Sequence, residues 1–273
     1  MILVPVSVTS ILRAQFLAEI SWYKNNKWML ASMFLWPYLM MLIILGIGSL
    51  YGSIEEYKSR LGIYNPLLYM LASSMIAMSS VGIVDTVATF SLWNRWIGTL
   101  QYILLTPTKT WKVLLASGVP GSVLSIIITL AAVTPGSIYL EGLVGGLKMI
   151  VVFGLMLLGM LPLLGLAVII SSVLLIVKEE SNIVSSLNPL LILLSGVFYP
   201  IEVLPRILQA ASTVVPSKYV VDAAKILATY HIPEAKLLFV TVYTLTLLTF
   251  AYNTIAMGVL GKVEEKVRRV GPD

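Results

Sequence analysis

The sequence predicts an all-α membrane protein: six transmembrane helices, an N-terminal amphipathic helix, a cytoplasmic helix between spans two and three, and an outer re-entrant helical hairpin. Three observations carry this. First, 58% of the 273 residues are hydrophobic and only 11% are charged, with a mean hydropathy of +0.95; a soluble domain carries about 25% charge. So few charges cannot cover a core of this size, and the apolar surface must meet lipid. Second, apolar runs near the ~20-residue bilayer-spanning length recur from end to end, which reads as a single domain over 1–273. Third, one interior stretch, Trp93 to Trp111, is polar, basic and aromatic.

The first element is Ser7 to Lys24. Ile11, Leu12, Phe16, Ile20 and Tyr23 share one face at helical spacing, with Arg13, Gln15, Glu19 and Lys24 off it or at its margin. It reads as an interfacial anchor or as a surface for a partner. The charged stretch Glu19 to Lys27 and the lack of a small-residue cleavage site argue against a signal peptide.

The six spans are 28–50, 66–90, 113–134, 147–177, 183–199 and 237–260. The fourth is long enough to need tilt, or a kink at Pro162. The fifth is short and contains Pro189. Of the 18 Lys and Arg residues, seven (Lys58, Arg60, Lys148, Arg206, Lys218, Lys225, Lys236) fall outside and the other eleven inside if the N-terminus is cytoplasmic. An even number of spans puts both termini in the cytoplasm. The net charge of +5 then reflects cytoplasmic loops facing anionic lipid rather than nucleic acid.

Between spans two and three, Trp93 to Trp111 reads as a short amphipathic helix at the bilayer surface, with Ile97, Leu100, Ile103 and Leu104 at helical spacing. Such a segment suits docking to something outside the membrane. Tyr51 to Asn65 reads as a solvated loop and Pro135 to Gly146 as a flexible glycine-rich turn. After span five come two helical patterns, Val203 to Val214 and Tyr219 to Tyr230, punctuated by Pro205 and Pro216. Neither is long or apolar enough to cross; together they form a hairpin dipping into the outer leaflet, tolerated there only as helix or against protein. The tail Lys262 to Arg269 alternates in sign and reads as a solvated helix end.

Few residues invite chemistry. There is no cysteine, which excludes disulfides and thiolate metal sites, and one histidine, His231, makes no zinc site alone. Asp85, late in span two, is a functional candidate by position; it either reaches interfacial water or pairs with Arg95, or serves coupling or conduction. Asn188 beside Pro189 in span five is either a tolerated kink or a hinge and pathway-lining group. Ser73, Ser74, Ser79 and Ser80 suit close helix packing. No P-loop is legible: Gly261-Lys262 is followed by Val263, and position 256 is alanine. ATP hydrolysis, if used, belongs to another polypeptide.

Two blocks resemble a known family, the transmembrane permease subunit of an ABC-2 type exporter. One is Arg95, Gly98-Thr99-Leu100 and Leu104-Leu105-Thr106-Pro107, similar to the family's cytoplasmic helix. The other is Ser195-Gly196-Val197-Phe198-Tyr199-Pro200, Leu204-Pro205, Pro216 and Tyr219, similar to the family's pattern leaving span five. Gln101 stands where the family often has Glu, so a salt bridge to a partner is not offered there.

The resemblance implies a plasma-membrane exporter subunit that is not itself an enzyme. Two copies of an ATP-binding subunit, carrying the ATP and Mg, would dock below it, and a second permease would complete a homodimer. Arg95, Gly98, Thr99, Leu100, Gln101, Thr106 and Pro107 would form the coupling helix, and Ser195, Gly196, Phe198, Pro200, Pro205, Pro216 and Tyr219 the outer gate; Asp85, Asn188 and Pro189 stand as pathway or hinge candidates. No cofactor or metal is expected in this chain. The alternatives are a secondary transporter, which would need an inverted repeat that the sequence does not display, and a membrane scaffold or enzyme. The latter would need Asp85 and His231 to meet, and the predicted topology puts them on opposite faces.

Overall fold

A computed structural model describes residues 7–49, 58–59, 62–105, 109–174, 181–198, 201–230 and 235–270. Its described elements are helical: α1 (Val8–Asn25), α2 (Lys27–Ser49), α3 (Pro66–Trp96), α4 (Leu100–Leu105), α5 (Thr110–Leu174), α6 (Ser181–Ser195), a 3₁₀ turn (Ile201–Val203), α7 (Arg206–Ser212), α8 (Pro216–Thr229) and α9 (Ala235–Val270). By length and composition, α2, α3, α5 and α9 can each cross a bilayer, and α6 contains a shorter apolar stretch.

The longest element is folded back on itself. Helical geometry in α5 fails only at Glu141 (φ −143°, ψ 18°) and Gly142 (φ 62°, ψ −153°). The conformation at Gly142 is essentially reserved for glycine. The two limbs, 110–140 and 143–174, then run side by side: a Cβ on Gly118 would strike both Val87 of α3 and Leu164 of the returning limb. The predicted loop at Pro135 to Gly146 is thus helix up to Leu140, and the turn is confined to two residues. Lys148, counted among the outside residues, pairs with Glu141 at 2.7 Å, the two side chains 4% and 8% exposed. A charge buried that deeply needs such a partner, and this one pins the turn.

α3 is the hub. It packs on α2, both limbs of α5, α6 and α8, and most of its length is buried. Ser73, Ser74, Ser79 and Ser80 are all buried in it, and the Ser79 and Thr129 hydroxyls meet at 3.0 Å across the contact with α5. Small side chains let the backbones approach, which is how apolar helices pack without a water-driven force between them. By contrast α2 and α9 present broad exposed apolar faces, including Leu35, Leu42, Phe239 and Phe250.

Two ends are defined by contacts. At one, Arg95 donates to the Leu174 carbonyl at 3.0 Å, and the Thr110 N–H donates to Glu264 at 3.2 Å. Glu264 therefore satisfies a backbone donor at the start of α5, so the tail is a continuation of α9 docked on a neighbour. At the opposite end, the Asn65 N–H donates to the Ala228 carbonyl at 3.0 Å, and Tyr69 donates to the Gly196 carbonyl at 3.2 Å.

α8 runs inward from that second end. Its apolar face, including Val220, Val221, Ala224 and Leu227, is buried among α3, α5 and α9. The stretch from Val214 to Val220, at its start, reaches the middle of two long helices. Tyr252, at the midpoint of α9, donates to the Val214 carbonyl at 2.6 Å. A Cβ on Gly159, midway along the returning limb of α5, would lie 3.1 Å from Val220 Cγ2.

Candidate functional site

The linking segment starts where α3 ends. Trp96 is its last residue, Ile97 is still near helical, and Gly98 turns left-handed at φ 79°. The Gly98 N–H donates to the Arg95 carbonyl at 3.0 Å, a helix stop of the kind glycine favours. Thr99 then donates to the Asn94 side-chain oxygen at 2.7 Å, fixing the exit path. α4 follows for six residues, and α5 begins at Thr110. Among the described residues, the helix expected across Trp93 to Trp111 is therefore broken into the last turn of α3, a glycine corner, the short α4 and the start of α5. The corner costs the segment its single apolar stripe. Leu100 is buried at 7% exposure, whereas Ile97 points outward with Trp93, Trp96 and Tyr102. Lys112 sits over the Trp111 ring at 5.6 Å, a cation–π contact suited to an interface.

Of the residues assigned to this segment, Arg95, Gly98, Thr99 and Leu100 lie together at one end of the bundle; the backbone of Gln101 belongs to α4. Thr106 and Pro107 lie outside the described residues. The segment exposes Trp96 at 65% and Tyr102 at 72%, a rigid aromatic surface beside the Arg95 anchor on Leu174.

The opposite end gathers the second block. α6 stops at Ser195, and Gly196 turns at φ 78°. Ser195 and Val197 are buried, and Phe198 packs on the core. Pro205 and Pro216 start α7 and α8, where a missing N–H costs nothing. Tyr219 donates to the Thr213 carbonyl at 2.8 Å, closing the turn between them. Pro200 and His231 lie outside the described residues.

Asp85 does not pair with Arg95. Its Oδ1 accepts from the Asn188 amide at 2.8 Å, while Arg95 is drawn to Leu174. The two sequence candidates Asp85 and Asn188 thus meet, tying α3 to α6, with Pro189 next to the contact.

One residue escaped the sequence reading. Glu19 was placed off the apolar face of α1 or at its margin. In the structure, Ile11, Leu12, Phe16 and Tyr23 of that face are half-buried, Gln15 and Glu19 are half-buried beside them, and Leu17, at 61% exposure, turns away from the protein. The i, i+4 run Gln15, Glu19, Tyr23 was the available signal. Burial pushes the Glu19 carboxyl above its ordinary value. Burial together with the Glu19 charge holds Tyr23 up at about 12. Glu19 and Asp85 both line a cavity bounded by α1, α2, α3 and the first limb of α5.

Comparison with curated proteins returned no match. The sequence model of the ABC-2 type transporter family matches residues 8–229, a stretch that includes α1, the glycine corner, both limbs of α5 and α8.

Proposed function

The chain belongs to the ABC-2 type transporter family, a family of transport membrane domains that normally work with ATP-binding subunits, and from that premise we propose that it is the permease subunit of an ATP-driven exporter in the plasma membrane. In this reading α2, α3, the two limbs of α5, α6 and α9 are six crossings, with both termini in the cytoplasm. The ATP and Mg sit on two copies of a separate ATP-binding subunit, and a second copy of the permease completes the conduit.

The observation that carries the proposal is the glycine corner at Gly98 with its exposed aromatic surface. Arg95 fastens that corner to the end of α5, and α3 runs from it through the middle of the bundle to Asn65 and Tyr69 at the far end. A push at Trp96 and Tyr102 therefore reaches α3 directly and α5 through Arg95. At the outer side, the turn before α8 is bonded to the midpoint of α9, and α8 itself touches the midpoint of the returning limb of α5. That depth supports a re-entrant hairpin that moves with those helices and gates the exit.

The test is reconstitution with the ATP-binding subunit in proteoliposomes. The permease alone hydrolyses no ATP; the assembled complex hydrolyses ATP and transports. No side chain lies within 4 Å of a Cβ on Gly98, so Gly98→Val acts through backbone strain at positive φ, about 1–2 kcal/mol. It is expected to lower transport per ATP at least several-fold, and Gly98→Asn, which tolerates that conformation, to keep most of it. Equal coupling in wild type and Gly98→Val would refute the role given to the corner.

A further inference from the structure

Between α1, α2, α3 and the first limb of α5 lies a cavity of about 650 Å³, within the size range of small-molecule sites. We propose that it binds an amphipathic organic cation, an ammonium or phosphonium centre on an apolar body, and that this is the substrate class of the transporter. The transport half rests on the permease reading; the binding half does not.

The charge comes from Glu19 and Asp85, on two different helices. Neither forms an ion pair among the described residues; Asp85 has the neutral Asn188 amide. Glu19 Oε1 and the Thr86 methyl both press on the space a Cβ at Gly121 would occupy, at 3.2 and 2.7 Å, so glycine there leaves room for the carboxylate. Two carboxylates lining one cavity disfavour an anion there and favour a cation.

The rest of the wall specifies an apolar cation. Trp22, Trp36, Trp93 and Phe90 supply aromatic rings to the lining, and Met33 and Met78 adaptable thioethers. A hard metal ion would want an oxygen cage, and no cluster of three or more His, Asp or Glu occurs among the described residues. Trp22, Trp36 and Trp93 are also exposed in part, so the aromatic margin of the cavity reaches the surface of the chain. Asp85 and Trp93 lie on the part of α3 nearest the glycine corner, so the site loads at the end where the motor would dock.

The experiment uses the full chain in nanodiscs of digalactosyldiacylglycerol, a bilayer lipid with no ammonium group, without any ATP-binding subunit. Tetraphenylphosphonium is titrated against tetraphenylborate, an anion of the same shape, reading saturable quenching of tryptophan emission over empty discs. We expect a saturable site at least tenfold tighter for the cation. Glu19→Gln and Asp85→Asn should each weaken it about tenfold, and Glu19→Lys should reverse the preference. Adding phosphatidylethanolamine to the discs separates two sources: competition identifies a lipid ammonium headgroup as the natural occupant, and its absence a diffusible cation. Equal saturable binding of both ions by the wild-type chain, or unchanged cation binding in both isosteric variants, would overturn the proposal. Because no ATPase is present, a failure of the coupling reading leaves this result intact, and the reverse also holds.

Discussion

Tyr252 gives its hydroxyl to the Val214 carbonyl at 2.6 Å, fastening the turn between α7 and α8 to the midpoint of α9. Tyr252 is 8% exposed, so the bond is made away from solvent. Tyr252→Phe keeps the ring and orphans the carbonyl, at a cost of about 1–3 kcal/mol. The expected result is a lower unfolding midpoint and faster protease cleavage between α7 and α8. An unchanged midpoint with unchanged cleavage would show that the turn is held by other contacts.

The same tyrosine makes a sharper test of packing. A Cβ on Gly165 would lie 2.9 Å from Tyr252 Cβ and about as close to the backbone of Tyr252 and Asn253, whereas a Cβ on Gly154 would meet nothing within 4 Å. Both glycines sit in the returning limb of α5. Gly165→Ala must push α9 away and is expected to cost about 1–3 kcal/mol, despite alanine's better helix propensity. Gly154→Ala is expected to be neutral or slightly stabilising. Thermal unfolding of the two variants side by side decides it; equal effects would mean that α5 and α9 are not in this register.

Glu19 predicts a pH dependence. Burial raises its carboxyl in the folded chain above the ordinary value of 4.5. Above that pH the folded state holds more protons here than the unfolded state, so stability falls as pH rises through the window from 4.5 up to the folded value. Glu19→Gln removes the ionisation and should flatten that part of the curve, leaving the variant the more stable protein at neutral pH. Midpoints measured in detergent from pH 4 to 8 provide the check; parallel curves would place Glu19 in water.

The long helices were legible because length and unbroken apolarity are local properties of the sequence. The expected spans at 66–90 and 237–260 appear inside α3 and α9, each helix running further than its apolar core. The turn at Glu141-Gly142 was placed too broadly, because Pro135 and the surrounding glycines read as breakers, while in a packed bundle neighbouring helices hold such residues in helical form. Asp85 and Asn188 were both singled out, yet nothing in their separation of about a hundred positions says that they touch. Most of the apolar face expected on α1 is half-buried, but its pattern does not tell that Gln15 and Glu19 share that burial, because the neighbouring helices decide how far round the helix is covered. Lys148 was counted among the outside residues, and its pairing with Glu141 was not legible without the fold that brings the two together.

The central claim is that a motor docks at the corner after α3, and the absence of cysteine makes it directly measurable. Single cysteines at Trp96 and Tyr102, both well exposed, should be labelled by an impermeant maleimide only from the cytoplasmic side. With a bifunctional reagent they should crosslink to the ATP-binding subunit in a way that changes with bound nucleotide. Labelling from the outside, or a motor that assembles and works without ever crosslinking to either position, would contradict the account.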